Sequence, residues 1–201
     1  MDEDAFWELV DRSDRETDTR KKRLAWLDGE LSRRSAEEIA DFSMWWDSAT
    51  SRLCTWDMYA VYCYVFSRQS FNAFEYFVNW LVSLGRVAFE QVAADPDSLV
   101  ELPEFLRLMK VLRARIAAGK YPVWSVNEEP EFELLAYVTF EPYRKATGLD
   151  TSHLGDVVHA RGVHAKFPLL GENFDGEEWD FEDEAEIGRR LPRVASYLGI
   201  F

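Results

Sequence analysis

The side chains best equipped for chemistry in this sequence lie along one stretch, Ser70 to Asp97. Asn72, Glu75, Asn79, Ser83, Arg86 and Glu90 recur there at three-, four- and seven-residue steps, which puts them on one stripe of a helix. Phe71, Phe74, Phe77, Val78, Leu81, Leu84, Ala88 and Val92 fill the rest of the turn, so most of that cylinder has to be buried. A carboxylate flanked by amides suits proton transfer or hydrogen-bonded capture of a small molecule. In that reading Glu75 is the acid or base and Arg86 orients an anion. Trp56 and Asp57 stand just before the stretch and join it as candidate ligand-binding residues, with Asn72, Glu75, Asn79 and Arg86. The same stripe facing water is only the polar side of an amphipathic helix. Covered by neighbours, it is a structural hydrogen-bond network.

Other chemistries find less support. His153, His159 and His164 are the three histidines and stand near Asp156, but their spacing fits no usual helix or hairpin ligand set, so no metal and no cofactor is expected. Cys54 and Cys63 are the two cysteines; both sit in apolar helical patterns and read as buried thiols. No GxSxG elbow, HExxH pair or glycine-rich phosphate loop is present. A different kind of site is offered by Gly171 to Glu186, which is densely acidic and carries no basic residue. Glu177, Glu178, Asp180, Glu182 and Asp183 are its candidate partner-binding residues, and Trp179 and Phe181 are placed to pin the segment to the domain. Folding back over Arg107, Lys110 and Arg113 is an alternative use for it.

These residues need a scaffold, and the pattern predicts an all-α one: a single helical domain packed around a long central helix, Ser70 to Asp97, with an irregular acidic C-terminal segment. Residues 1–148 read as the helical core. Residues 149–201 read as a histidine-containing loop, the acidic segment and a short terminal helix, packed on the same domain. Helices are expected over Glu3 to Ser13, over Thr19 to Arg33, and from Ser35, where Ser35-Ala36-Glu37-Glu38 is a capping box. Met58 to Phe66 is apolar nearly throughout and is assigned as helix because no comparable strand lies near it. Asp95-Pro96-Asp97 stops the central helix, and Pro103 opens the next, with Ile116 among its inward residues. A helix is expected after Pro130, kinked or broken by Pro142. Thr151 to Lys166 reads as a loop with little core, and the helix Glu184 to Leu198 is open to division at Pro192.

Composition sets the outer limits. With 47% hydrophobic and 15% aromatic residues the chain can build one substantial core. The 37 acidic against 23 basic residues give a net charge of -14, which repels phosphate backbones and makes nucleic acid and anionic membrane poor partners. No apolar run is long enough for a membrane span, and no signal peptide is recognisable, so a soluble, cytoplasmic protein is expected.

The stretches MDEDAFWELVDRS, TWDMYAVYC, FEYFVNWLVSLGRVAFEQVAADPDSL and GEEWDFEDEAEIGRRLP resemble the bacterial family DUF4240. The resemblance implies a mainly helical single domain, in a family that also occurs beside WGR domains, and it implies no reaction. Phe66-Ser67-Arg68-Gln69-Ser70 departs from the glycine- and acid-rich turn associated with the family at this point. The expectation from sequence is a non-enzymatic binding or regulatory module whose acidic surface engages a basic protein partner. The alternative is an enzyme or small-molecule binder with a pocket walled by the polar stripe.

Overall fold

The computed structural model describes residues 1–121, 124–125, 127–166 and 174–200. Among the described residues the fold is all-helical, with only an isolated bridge between Thr55 and Asp175. The helices are α1 (Glu3–Arg15), α2 (Arg20–Leu31), α3 (Ala36–Leu53), α4 (Trp56–Phe66), α5 (Phe71–Ser83), α6 (Arg86–Ala94), α7 (Pro103–Ala117), α8 (Phe140–Thr147), α9 (Thr151–Ala160), α10 (Glu184–Arg190) and α11 (Pro192–Leu198). Short 3-10 helices cover Pro96–Glu101 and Glu133–Tyr137. Side-chain caps open several of them: Thr19, Thr55 and Ser70 each accept from a backbone N–H three residues on, and Ser35 and Glu38 form the reciprocal box. No described helix is long and apolar enough to cross a membrane.

The expected central helix from Ser70 to Asp97 is two helices and a 3-10 turn. The chain breaks at Gly85, whose φ of +94° and ψ of 171° suit glycine alone. A Cβ there would collide with the Asp11 carboxylate of α1. That carboxylate accepts the Arg86 backbone N–H at 3.4 Å, so a neighbouring helix supplies the anion that caps α6. On α5, Phe74, Phe77 and Leu81 are fully buried. Around it Tyr59, Tyr62, Phe74, Phe77 and Phe174 form a continuous aromatic cluster, with ring centroids 5.2 to 5.6 Å apart in the closest pairs.

The basic run at the start of α2 is used internally. Arg23 is 7% exposed and donates to Ser13 Oγ, Asp14, the Val10 carbonyl and the Ser83 carbonyl, tying α1 and α2 to the end of α5. Arg20 reaches across to the carbonyls of Glu129 and Glu131. Ile116, expected inward, is 57% exposed on α7. Pro142 does not kink a helix; it sits in the first turn of α8, where a missing N–H breaks no intrahelical bond.

The largest departure is at Thr151 to Lys166, expected as a loop. Thr151–Ala160 is α9, capped by Asp150, and it packs Leu154 and Val158 against Ile39 and Ala40 of α3 and Tyr143 of α8. Glycine and histidine mask the helix in sequence; the Leu154 and Val158 pair, four residues apart, is its one apolar stripe. Downstream, the chain is fixed to the aromatic core. Trp179 is 9% exposed and donates to Asp57 at 2.9 Å, while Phe174 and Phe181 pack on Trp56 and Tyr59. Pro192 divides the last helix as its ring requires. Asp97 accepts the Arg193 and Val194 backbone N–H groups at 2.8 Å each, and the Arg193 guanidinium pairs with Asp95, Asp97 and Glu101.

Candidate functional site

The polar stripe does not survive as a unit, because the break at Gly85 rotates its second half away. Arg86 opens α6 and pairs with Asp4 and Glu3 of α1, and Glu90 pairs with Arg52. Asn72 is exposed on the first turn of α5. Trp56 and Asp57 do not join Glu75 either: they receive the acidic segment through Phe174, Phe181, Trp179 and Arg190. Glu75 and Asn79, four residues apart on α5, are what remains together, and they line a cavity of about 210 Å³.

Three helices build its walls. Ser43, Asp47, Thr50 and Cys54 descend the facing side of α3 and its C-cap; Glu75, Val78 and Asn79 come from α5; Thr151, Leu154, Gly155 and Val158 come from α9. Each set follows the three- and four-residue steps of a single helix face. Trp46, Ala136, Tyr137, Phe140, Ala165 and Lys166 complete the lining.

The polar groups in this cavity are poorly matched to one another. The Trp46 indole N–H donates to Asn79 Oδ1 at 3.1 Å. An indole can only donate, so this bond fixes the orientation of the amide. Asn79 is 3% exposed, and its Nδ2 is buried with no acceptor. Asp47 has no cationic or hydrogen-bonding partner for its carboxylate among the described residues, and burial alone pushes its pKa from 3.8 up to about 6. Glu75 is half-buried and likewise unpartnered; burial, then the nearby Glu133, push its pKa up. Thr50 turns its hydroxyl to the Asp47 backbone carbonyl rather than to the carboxylate. Lys166, the one cation in the lining, is paired with Asp175. Cys54 is no nucleophile here, since burial pushes its thiol up to about 12.

Asp47 is the member that sequence reasoning missed. Its signal was a second polar stripe, Ser43, Asp47, Thr50 and Cys54, running beside the apolar face of Ile39, Phe42, Trp46 and Ala49.

The acidic segment is partly neutralised from within. Glu177 pairs with Arg190, Asp180 and Asp183 accept backbone N–H groups of their own turn and of α10, and Glu186 is held down to about 2 by Arg189 and Arg190. Glu178, Glu182 and Glu184 are exposed without a bonded partner among the described residues. The segment does not cover the basic stripe of α7: Arg113 instead donates to the Tyr197 hydroxyl of α11 and lies over its ring. Of the histidines, His153 bonds Tyr143 at 2.9 Å and His159 meets His164 at 2.7 Å, both by Nδ1. No group of three or more potential metal ligands occurs among the described residues.

Fold and site together define a protein that is all-helical among its described residues, with a mainly apolar cavity between three helices into which a few polar side chains are set. Residues 1–145 match the model of the family described as "Protein of unknown function (DUF4240)", and the chain belongs to that family. The match takes in the α3 and α5 walls, while the α9 wall lies beyond it. No curated protein and no solved structure matches the chain.

Proposed function

We propose that this protein is a non-enzymatic binding module whose cavity between α3, α5 and α9 takes a small molecule. The observation that supports the reading is that Asp47, Glu75 and Asn79 line one cavity, and that the two carboxylates and Asn79 Nδ2 have no bonded partner among the described residues. Buried polar groups are nearly always satisfied, and a ligand is a partner that would satisfy all three together. A cavity of 210 Å³ exceeds the roughly 150 Å³ that encloses benzene, which sets the ligand near ten non-hydrogen atoms. Of the residues named from the polar stripe, Glu75 and Asn79 are assigned to binding. Trp56, Asp57, Asn72 and Arg86 are assigned to structure or solvent.

The test uses Gly155. Gly155 lies in the cavity lining and an added Cβ there meets nothing within 4 Å, so Gly155→Phe is expected to add bulk to the cavity wall with little cost to the helix. Ligand-observed NMR of a fragment library against the wild type should give hits that Gly155→Phe abolishes. Hits that survive the substitution, or a library without hits, refute the reading.

A second reading rests on Glu178, Glu182 and Glu184, which are exposed and have no bonded partner among the described residues, and takes the acidic segment as a docking strip for a basic protein. Capture of partners that weakens as salt rises, and is lost on changing these three to Gln, supports it. Capture indifferent to salt counts against it.

A further inference from the structure

Resting on the reading of the cavity as a ligand site, we propose that its ligand is an organic cation, an amine or guanidinium compound carrying a hydrogen-bond acceptor. Its charged end pairs with Asp47, Glu75 adds negative charge to the same lining, and its acceptor is offered to Asn79 Nδ2. The lining is lopsided in a way that selects this chemistry. It presents two carboxylates from different helices, α3 and α5, and among the described residues the one cation it holds, Lys166, is already paired with Asp175. An anion entering this space would meet two carboxylates and no free positive group. A neutral apolar molecule would leave both carboxylates and the amide N–H without partners. A cation supplies the missing donors and charge, and the rings of Trp46, Tyr137 and Phe140 in the same lining favour a positive group or a flat apolar body beside it.

Asn79 adds an independent requirement. The Trp46 indole N–H occupies its Oδ1, so the unmet hydrogen-bonding capacity of the amide is that of its Nδ2 donors. The ligand therefore carries a carbonyl, ether or hydroxyl oxygen in addition to its charged nitrogen.

Binding should also take up the cost of ionising Asp47. The titratable groups around the cavity are Cys54 on α3, Glu75 on α5, Glu133 and Tyr137 from the 3-10 helix before α8, and Lys166 beyond α9; α8 and α9 line it with Phe140, Thr151, Leu154, Gly155 and Val158, none of which titrates. Near pH 5.5 a cation binding to the carboxylate form displaces protons, and affinity rises with pH up to about 6.

The experiment is calorimetric titration of the full chain with tyramine, agmatine and 4-methoxybenzylamine, set against 4-methoxybenzyl alcohol and 4-methoxybenzoate, at pH 5 and pH 7. The proposal expects at least one amine to bind, tighter at pH 7 than at pH 5 by about fivefold or more. It also expects proton release at pH 5.5 in buffers of different ionisation enthalpy, and a tenfold or larger loss of affinity in both Asp47→Asn and Glu75→Gln. Circular dichroism of each variant verifies the fold. Binding of the alcohol or benzoate in preference to the amines overturns the cation assignment while leaving the cavity as a ligand site. Amine binding unchanged in both variants overturns it too. Failure of every probe, together with a fragment library that gives no hit sensitive to Gly155→Phe, overturns both.

Discussion

Replacing Asp47 by Asn should make the protein more stable and worse at binding, and the stability gain should depend on pH. The folded state raises the Asp47 pKa from 3.8 to about 6 by burial alone, so between those values the folded chain holds a proton that the unfolded chain has released. Wild-type stability therefore falls as pH rises from about 4 to about 6, and is level above that. A shift of this size is worth about 3 kcal/mol at neutral pH. Asn removes the charge but leaves two amide N–H donors half-buried, which returns up to about 1 kcal/mol. The net gain is then about 2 kcal/mol at pH 7, or roughly 4–8 °C in melting temperature for a chain of this length. It should shrink toward zero by pH 4. Urea denaturation of both proteins at pH 4, 5, 6 and 7 measures this, and the difference should open across the same interval in which the wild type loses stability. An equal gain at every pH would mean that Asn simply packs better, and a loss at pH 7 would mean that the carboxylate has a partner in solution. Either result removes the physical basis for treating Asp47 as a group awaiting a ligand.

Three further substitutions probe the frame that holds the cavity. Gly85→Ala should cost about 2 kcal/mol or more by chemical denaturation, because it combines a positive φ with a collision against Asp11; adding Asp11→Ala should recover only part of that loss. Arg23→Met should cost about 2 kcal/mol by leaving the Ser83 carbonyl without its guanidinium donor, the Val10 carbonyl keeping the Ser13 hydroxyl, whereas Asp14→Asn should change stability by less than about 1 kcal/mol, since Asp14 is 69% exposed. Gly155→Ala should raise stability by roughly 0.5–1 kcal/mol, read from the shift in denaturation midpoint, since nothing lies within 4 Å of the added methyl.

How much of this was legible follows from which signals are local. Caps and prolines act within a few residues, so the capping box at Ser35, the start at Pro103 and the division open at Pro192 could be read directly from the chain, whereas Met58 to Phe66 was assigned as helix only for want of a comparable strand near it. The break at Gly85 could not. Apolar spacing runs straight through it, and what forbids a continuous helix is Asp11, seventy-four residues earlier, sitting where a side chain would be. The helix at Thr151–Ala160 was hidden for the opposite reason: it buries Leu154 and Val158 on a narrow strip and leaves the rest of its surface to polar residues and glycine.

The candidate site repeats the same division between local and assembled information. Glu75 and Asn79 were visible because they share one face of one helix. Arg86 belonged with them only on the assumption that the helix continued, and it leaves with the break. Asp47 and Gly155 were invisible as site residues because nothing in α3 or α9 alone says which helix each faces. Yet the three polar groups lack partners among the described residues for different reasons: Asn79 because Trp46 occupies its oxygen, Asp47 because Thr50 turns to its backbone, and Glu75 because the charge that acts on it, Glu133, is also an acid. Charged groups left this way weaken a fold, and a chain that needed them only for stability would be better served by apolar side chains of the same volume. Their convergence on one space, from helices with no other reason to place polarity there, is what a binding site requires and a core does not.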